Sequence, residues 1–227
     1  LEQMQLNRKQ ARPATKTVPG AEDQDAGIRN KMILAGLSNE YRFNSDFSHF
    51  ILIQGSYVDF ENPFITNYEN RFEKNFALRT HLNYEKNGDH IALAYRLGFE
   101  GGINDILIKN YDNNRGVEGN PQNFDKIKNT SGFYFISQKL NVDEKLFSDI
   151  SLSLNSNAYN WERLFPRNEN GKTRFKNQWL PNFGLSYLFA KGFSVRAKVG
   201  KGNSAPTNEE IRASDQQFNT SLRPEYG

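Results

Sequence analysis

The side chains best suited to chemistry in this chain of 227 residues sit in polar stretches rather than in a catalytic constellation. Tyr111 and Arg115 lie in one such stretch. Trp161-Glu162-Arg163-Leu164-Phe165-Pro166-Arg167 forms another, with Lys172 and Arg174 beyond it. A guanidinium offers a fork of N–H donors and an aromatic ring offers a flat face, a pairing that suits oxygen-rich, anionic ligands. The same arginines would serve equally in pairing with neighbouring acids or lipid phosphates. Tyr111, Arg115, Trp161, Arg163 and Arg167 are therefore the candidate substrate-binding residues.

Catalysis finds no comparable support. The three histidines, His49, His81 and His90, lack the H-E-x-x-H spacing of a zinc site. Solvation is the expected state of His81 and His90, so no metal is expected. Glu100-Gly101-Gly102 reads as a strand end entering a loop. No helical pattern follows it, as a phosphate-binding loop would require. Asp143-Glu144 and Glu209-Glu210 fall on turns or loops, where solvated charge is the default. Cysteine is absent, which excludes disulfides and thiolate ligands. A net charge of +3 without a dense Lys/Arg stripe gives no reason to expect nucleic acid. Neither an enzyme nor a cofactor is expected.

The elements that must position these residues are strands. From Ile91 to Phe99, Ile91, Leu93, Tyr95, Leu97 and Phe99 alternate with Ala92, Ala94, Arg96 and Gly98. Phe193, Val195, Ala197 and Val199 alternate with Ser194, Arg196, Lys198 and Gly200, and Phe76, Leu78, Thr80, Leu82 and Tyr84 with Ala77, Arg79, His81 and Asn83. Ile33, Ala35, Leu37, Tyr41 and Phe43 repeat the pattern less cleanly. A period of two means unlike faces. Further strands are expected at 47–61, 131–142, 147–160 and 179–189. In 47–61 the run Phe50-Ile51-Leu52-Ile53 leaves the facing open, and Pro181 lacks a ladder donor. The expectation is an all-β, antiparallel up-and-down meander of about eight long strands.

Tight turns are expected at Asn44-Ser45-Asp46, Lys86-Asn87-Gly88-Asp89, Asp143-Glu144-Lys145 and Ala190-Lys191-Gly192. Long polar loops are expected at about 62–72, 101–129, 161–177 and 203–222. Because tight and long connections alternate, one end of the sheet is trimmed and the other carries the loops, as in outer-membrane barrels. Tyr41, Phe43, Phe47, Tyr84, Tyr187, Phe189 and Phe193 fall near one rim. Tyr57, Phe99, Tyr134, Trp161 and Trp179 fall near the other, where amphipathic rings favour a membrane interface. The chain is 37% hydrophobic and 13% aromatic, and its mean hydropathy is -0.76. That low average suits a barrel, in which every second residue faces lipid. A soluble sandwich, with the apolar face inward, is the competing architecture.

Residues 198–227 include Ala205-Pro206-Thr207-Asn208-Glu209-Glu210-Ile211 and then Asn219-Thr220-Ser221-Leu222-Arg223-Pro224-Glu225. Their order and spacing resemble TonB-dependent outer-membrane receptors, where "APT", an acidic pair and an apolar residue precede "N-x-x-L-x-P-E". Tyr57-Val58-Asp59-Phe60-Glu61-Asn62-Pro63 and Arg29-Asn30-Lys31 with Leu34-Ala35-Gly36-Leu37 resemble the iron–siderophore and ferric citrate type. Asn203-Ser204 departs from the pattern, which usually has an arginine or aromatic there.

The resemblance implies a middle portion of a 22-stranded transmembrane β-barrel in the outer membrane of a Gram-negative bacterium. Residues 1–30 would be an irregular loop leading into the barrel, and 31–227 a partial barrel without the plug domain. The opening Leu1-Glu2-Gln3-Met4 carries no signal peptide, so a mature chain or fragment is expected. The implied function is active transport of a ferric siderophore or ferric citrate, energised through TonB by way of the missing amino-terminal part, with outer-membrane lipid as a second partner. Glu40, Arg42, Arg79, Arg96, Glu100, Arg196 and Lys198 would hydrate the lumen and dock the plug. The alternative is a non-transporting outer-membrane barrel acting as adhesin or structural protein.

Overall fold

The computed structural model describes residues 13–213 and 215–227. Residues 13–28 form turns, and residues 1–12 of the expected leading loop lie outside the described residues. The wall runs as β1 (Arg29–Arg42), β2 (Phe47–Pro63), β3 (Tyr68–Asn87), β4 (Ile91–Asn113), β5 (Glu118–Val142), β6 (Leu146–Phe165), β7 (Glu169–Arg174), β8 (Gln178–Ala190) and β9 (Phe193–Gly200). These strands form one antiparallel sheet in the order β1-β2-β3-β4-β5-β6-β8-β9. The short β7 pairs the upper part of β6, and β8 pairs its lower part.

Three of the expected long loops are mostly ladder instead. Asn113 ends β4 and Glu118 begins β5, so most of 101–129 is one hairpin with a turn at 114–117. Likewise β2 and β3 meet around a turn at 64–67, where Phe64 N–H donates to Asn67 O at 2.8 Å. The segment 161–177 holds the end of β6 and all of β7. The sequence hid these strands because their two faces no longer differ in polarity, while their backbone groups still pair.

Residues paired across an antiparallel ladder share a face, so register assigns every facing. Leu97 pairs with Leu82 and Ile136, and Tyr95 with Tyr84 and Gln138. Ile53 pairs with Leu37 and Leu78, which settles the ambiguous segment: Phe47, Ile51, Ile53 and Tyr57 point outward, Phe50 and Leu52 inward. The outward residues are uncovered: Leu37 is 75% exposed, Leu97 58% and Val199 68%. An exposed apolar face spanning the whole sheet is far larger than a soluble monomer tolerates. In a bilayer it is the lipid-facing surface, which disposes of the inward-facing sandwich.

The apolar band slides along the sheet. Ile33, the uppermost of these residues on β1, is in register with Asp105 of β4 through Tyr57 and Lys74. Val199, its counterpart on β9, is in register with Tyr95 through Phe183, Ile150 and Gln138. The slip from 105 to 95 is ten residues over seven strand steps. At about 3.3 Å per residue and about 4.8 Å between strands, the strands tilt by about 45°. Barrels that cross membranes have that tilt.

On the lumenal face Phe50 stacks on His81, with ring centroids 4.9 Å apart, and Phe135 lies beyond His81. Gly98 makes room for this cluster. A Cβ there would sit 2.5 Å from Phe135 Cζ and 2.7 Å from His81 Cβ.

Candidate ligand-binding mouth

Above the hydrocarbon band the apolar-outward pattern ends on β4 and β5. On β4 the outward residues up to Ile103 are apolar, whereas past it the buried apolar residues are Ile106 and Ile108, on the lumenal face. Ile127 of β5 pairs with Ile106 and with Trp161, extending the patch. These side chains need a cover, and the chain after β9 supplies it.

That cover is built locally. Thr207 Oγ1 accepts from Glu210 N–H at 3.3 Å while Glu210 Oε2 accepts from Thr207 N–H at 2.7 Å. This capping box starts the single turn of helix α1 (Asn208–Ile211). At its base, β10 (Asn203–Ser204) pairs with β11 (Glu225–Tyr226). Ile211 packs with Tyr159 and Phe175, and Phe218 stacks on Trp161 at 4.2 Å with 16° between the rings. Tyr159 Oη donates to the carbonyl of Pro206. The "APT" stretch and its acidic pair are thus the capped turn of an inward-folded segment. Of the expected long loops, this one stays largely irregular.

One carboxylate fastens the segment to the wall. Asp125 is 0% exposed and receives Arg163 Nε at 2.9 Å and Arg212 Nε at 2.6 Å. Arg212 Nη2 also donates to Asn110 Oδ1 at 2.6 Å, and Arg163 Nη2 donates to the carbonyl of Gln216. Buried charges persist when paired and hydrogen-bonded in this way.

Between this segment and the β2–β3 hairpin lies a cavity of about 680 Å³, bordered by Asn67, Glu69, Arg71, Asn110, Asn208 and Glu209. Arg71 is ringed by acids: its Nε is 3.1 Å from Glu73 and 3.9 Å from Glu69, and its Nη1 is 3.8 Å from Glu209. The guanidinium also lies 4.5 Å from the Phe60 ring centre. The arrangement offers charged and amide groups over an isoleucine floor, which is binding chemistry. Among the described residues no group of His, Asp and Glu is placed to hold a metal.

The sequence candidates separate. Trp161 and Arg163 come together on the lumenal face with Phe218 between them, the Arg163 guanidinium 5.3 Å from its ring centre. Trp161 is therefore not a girdle residue. Tyr111 lies on the opposite face of the β4–β5 hairpin, its ring 5.2 Å from Phe124. Burial, and then the Glu118 carboxylate, raise its phenol above the usual range. Arg115 caps the hairpin tip with φ 56, exposed, its N–H donating to Gln24 Oε1 at 3.0 Å. Arg167 is exposed in the turn between β6 and β7. Asp125, Arg212, Asn110 and Arg71 were not among the candidates. The Thr207–Glu210 capping box was a readable signal; the Asp125 clamp, closed by a residue 87 positions away, was not.

A family profile described as TonB dependent receptor-like, beta-barrel, matches residues 6–227. No curated protein sequence matches the chain. Among solved structures it resembles the ferric citrate transporter FecA in the unliganded form, with a TM-score of 0.66 and 9% identity over 78% of this chain and 28% of that one. It also resembles the siderophore receptor PiuA from Acinetobacter baumannii, with a TM-score of 0.69 and 8% identity over 89% of this chain and 37% of that one. The alcaligin outer-membrane receptor FauA from Bordetella pertussis gives a TM-score of 0.65 and 12% identity over 88% and 33%. The chain thus spans about a third of the length of these receptors, and at such identities the likeness shows the fold. With a tilted wall, an apolar exterior and a family match over nearly its whole length, the chain belongs to the TonB-dependent receptors and is part of their outer-membrane β-barrel.

Proposed function

We propose that the protein to which this wall belongs is an active transport receptor for a ferric chelate, a siderophore or ferric citrate, in the outer membrane of a Gram-negative bacterium and energised through TonB. The observation that carries the reading is the polar recess at the mouth. The same strands turn apolar faces to lipid below and enclose a charged, amide-lined cavity above. A purely structural or adhesive barrel has no need of such an inward recess. The ferric citrate and siderophore receptors among the fold relatives point the same way.

In this reading residues 29–227 are wall and mouth, residues 13–28 lead into them, and the wall is one part of a barrel of 22 strands. Arg115 and Arg167, exposed at hairpin tips, make first contact with the anionic chelate. Tyr111 stiffens the β4–β5 tip beside Arg115, and Trp161 and Arg163 shape the inner wall.

The test is a fluorescence titration of the intact receptor with ferric citrate, a ferric hydroxamate and a ferric catecholate. Replacing both Arg115 and Arg167 by alanine should weaken binding of the recognised chelate about tenfold, the loss of charge-assisted contacts of about 1.4 kcal/mol in total. Unchanged affinity removes these two arginines from the site. Failure of every chelate to bind removes the transport reading.

A further inference from the structure

We propose that residues 205–213 and 215–222 are a permanent collar of the lumenal wall, not a swinging gate, and that Asp125 is the positioning residue that holds the collar's edge against the mouth cavity. The ligand role of that edge rests on the function proposed above; the immobility of the collar does not.

Two separate fastenings tie the segment to the wall, and backbone bonds within it fix its shape. The first is apolar. Ile211 is 5% exposed among Tyr159 and Phe175, and Phe218 covers the patch of Ile106, Ile108 and Ile127, exposed by 3%, 7% and 0%. Lifting the segment would return this patch to water, and burial of apolar area is the main favourable term in folding.

The second is the charge clamp. With the collar gone, Asp125 would lose Arg212, and Arg163 would lose the Gln216 carbonyl, each group remaining in a partly desolvated wall. Breaking one partner out of a buried ionic cluster costs far more than forming the cluster gains. The segment itself is stiffened by backbone bonds. Asn219 N–H donates to Ile211 O at 2.8 Å, Ala213 N–H to Gln217 O at 3.1 Å, and β10 pairs with β11 at the base. A loop that swings freely has few buried contacts and few protected amides. This one has both.

The collar presents outward what the clamp does not use. The Glu209 side chain is 74% exposed and stands 3.8 Å from Arg71, and Asn208 and Gln216 line the same cavity. Asp125 touches none of that space. It acts through Arg212, one residue beyond α1, and so sets where Glu209 stands.

Hydrogen exchange read by mass spectrometry on the intact receptor in detergent tests the collar directly. Peptides from 205–222 should exchange at least about 100-fold more slowly than unstructured chain, with less than about a twofold change when a recognised ferric chelate is added. Exchange near the unstructured rate, or a ligand-dependent change above about tenfold, would overturn the proposal.

Asp125→Asn should raise exchange in 205–222 at least about tenfold and leave β3 to β6 unchanged, whereas the apolar set Asp125→Leu, Arg163→Met, Arg212→Met should keep the protection. Loss of protection in that set would show that packing does not hold the collar, and would count against its permanence. If Asp125→Asn does not fold, the wild type and the apolar set still decide.

Positioning has its own readout. In Asp125→Asn, joining F175C to I211C, a packed pair outside the cavity, with a short thiol cross-linker should return chelate affinity to within about twofold of wild type, since only placement was lost. No recovery would mean that Asp125 is structural and does not position the edge. A protected collar with affinity indifferent to Glu209→Ala and Arg71→Ala would instead fault the cavity as ligand site and leave the collar standing.

Discussion

Asp125 and Arg212 are 87 residues apart in the chain, yet their side chains meet at 2.6 Å inside the mouth, where the carboxylate has no exposed surface. The contact joins the upper part of β5 to a segment that follows β9, across four intervening strands. Arg212→Ala should therefore cost on the order of 3–5 kcal/mol of local stability, because it strips a partner from a buried carboxylate. Limited proteolysis is the measurement: new cleavage should appear in 213–222, with the strands intact. Cleavage spread over the whole wall would contradict a local role.

The capping box predicts a smaller effect. Thr207→Ala removes the oxygen that accepts from Glu210 N–H and should cost about 1 kcal/mol, confined to α1. Thr207→Ser should restore it. Exchange rates of the 207–212 amides would report both.

Facing along β4 predicts an asymmetry between neighbours. Leu97 points to lipid, and Leu97→Arg should destabilise the barrel by about 2–4 kcal/mol in denaturant unfolding from lipid vesicles. Arg96 points to the lumen, donating to Asn83 Oδ1 at 2.8 Å, and Arg96→Leu should cost no more than about 1 kcal/mol. The opposite ranking would invert the wall.

Gly98 predicts a packing defect. A larger side chain meets not only Phe135 and His81 but also the Thr80 carbonyl oxygen at 2.7 Å, which is backbone and cannot turn away. Gly98→Val should lose about 1–3 kcal/mol in the same unfolding assay. Phe135→Ala should rescue it partly at most.

Tyr68, at the start of β3, has its phenol raised by burial and then by the Glu61 carboxylate, to which Oη donates at 3.4 Å. A raised folded value means the proton is held more tightly in the fold. The stabilisation is complete below the unfolded value near 10 and is lost as pH rises through the folded one. Tyr68→Phe should flatten the alkaline limb of the stability curve, and a phenolate absorbance titration locates the missing group.

The alternation of Ile91 to Phe99 and of its partner segments was enough, by itself, to determine a meander of eight long strands, because a residue's facing in a ladder depends on parity alone. The tight turns followed for the same reason, with Asn, Asp and Gly marking them. Periodicity could not say which face met lipid, nor how the run Phe50-Ile51-Leu52-Ile53 faced. Those depended on register, which is a relation between strands. The extended β4–β5 hairpin stayed hidden because the polarity code breaks down near Ile103, where lipid gives way to water outside and a protein cover appears inside.

The candidate site divides in the same way. Residue type was sufficient to single out Trp161 and Arg163, and the tertiary structure gave them inward-facing neighbours. Type alone put Tyr111 in their company, although it lies on the other face of the hairpin. The Asp125 clamp had no local signature at all. A buried carboxylate differs from a solvated one by what covers it, and here the cover arrives from the far end of the chain.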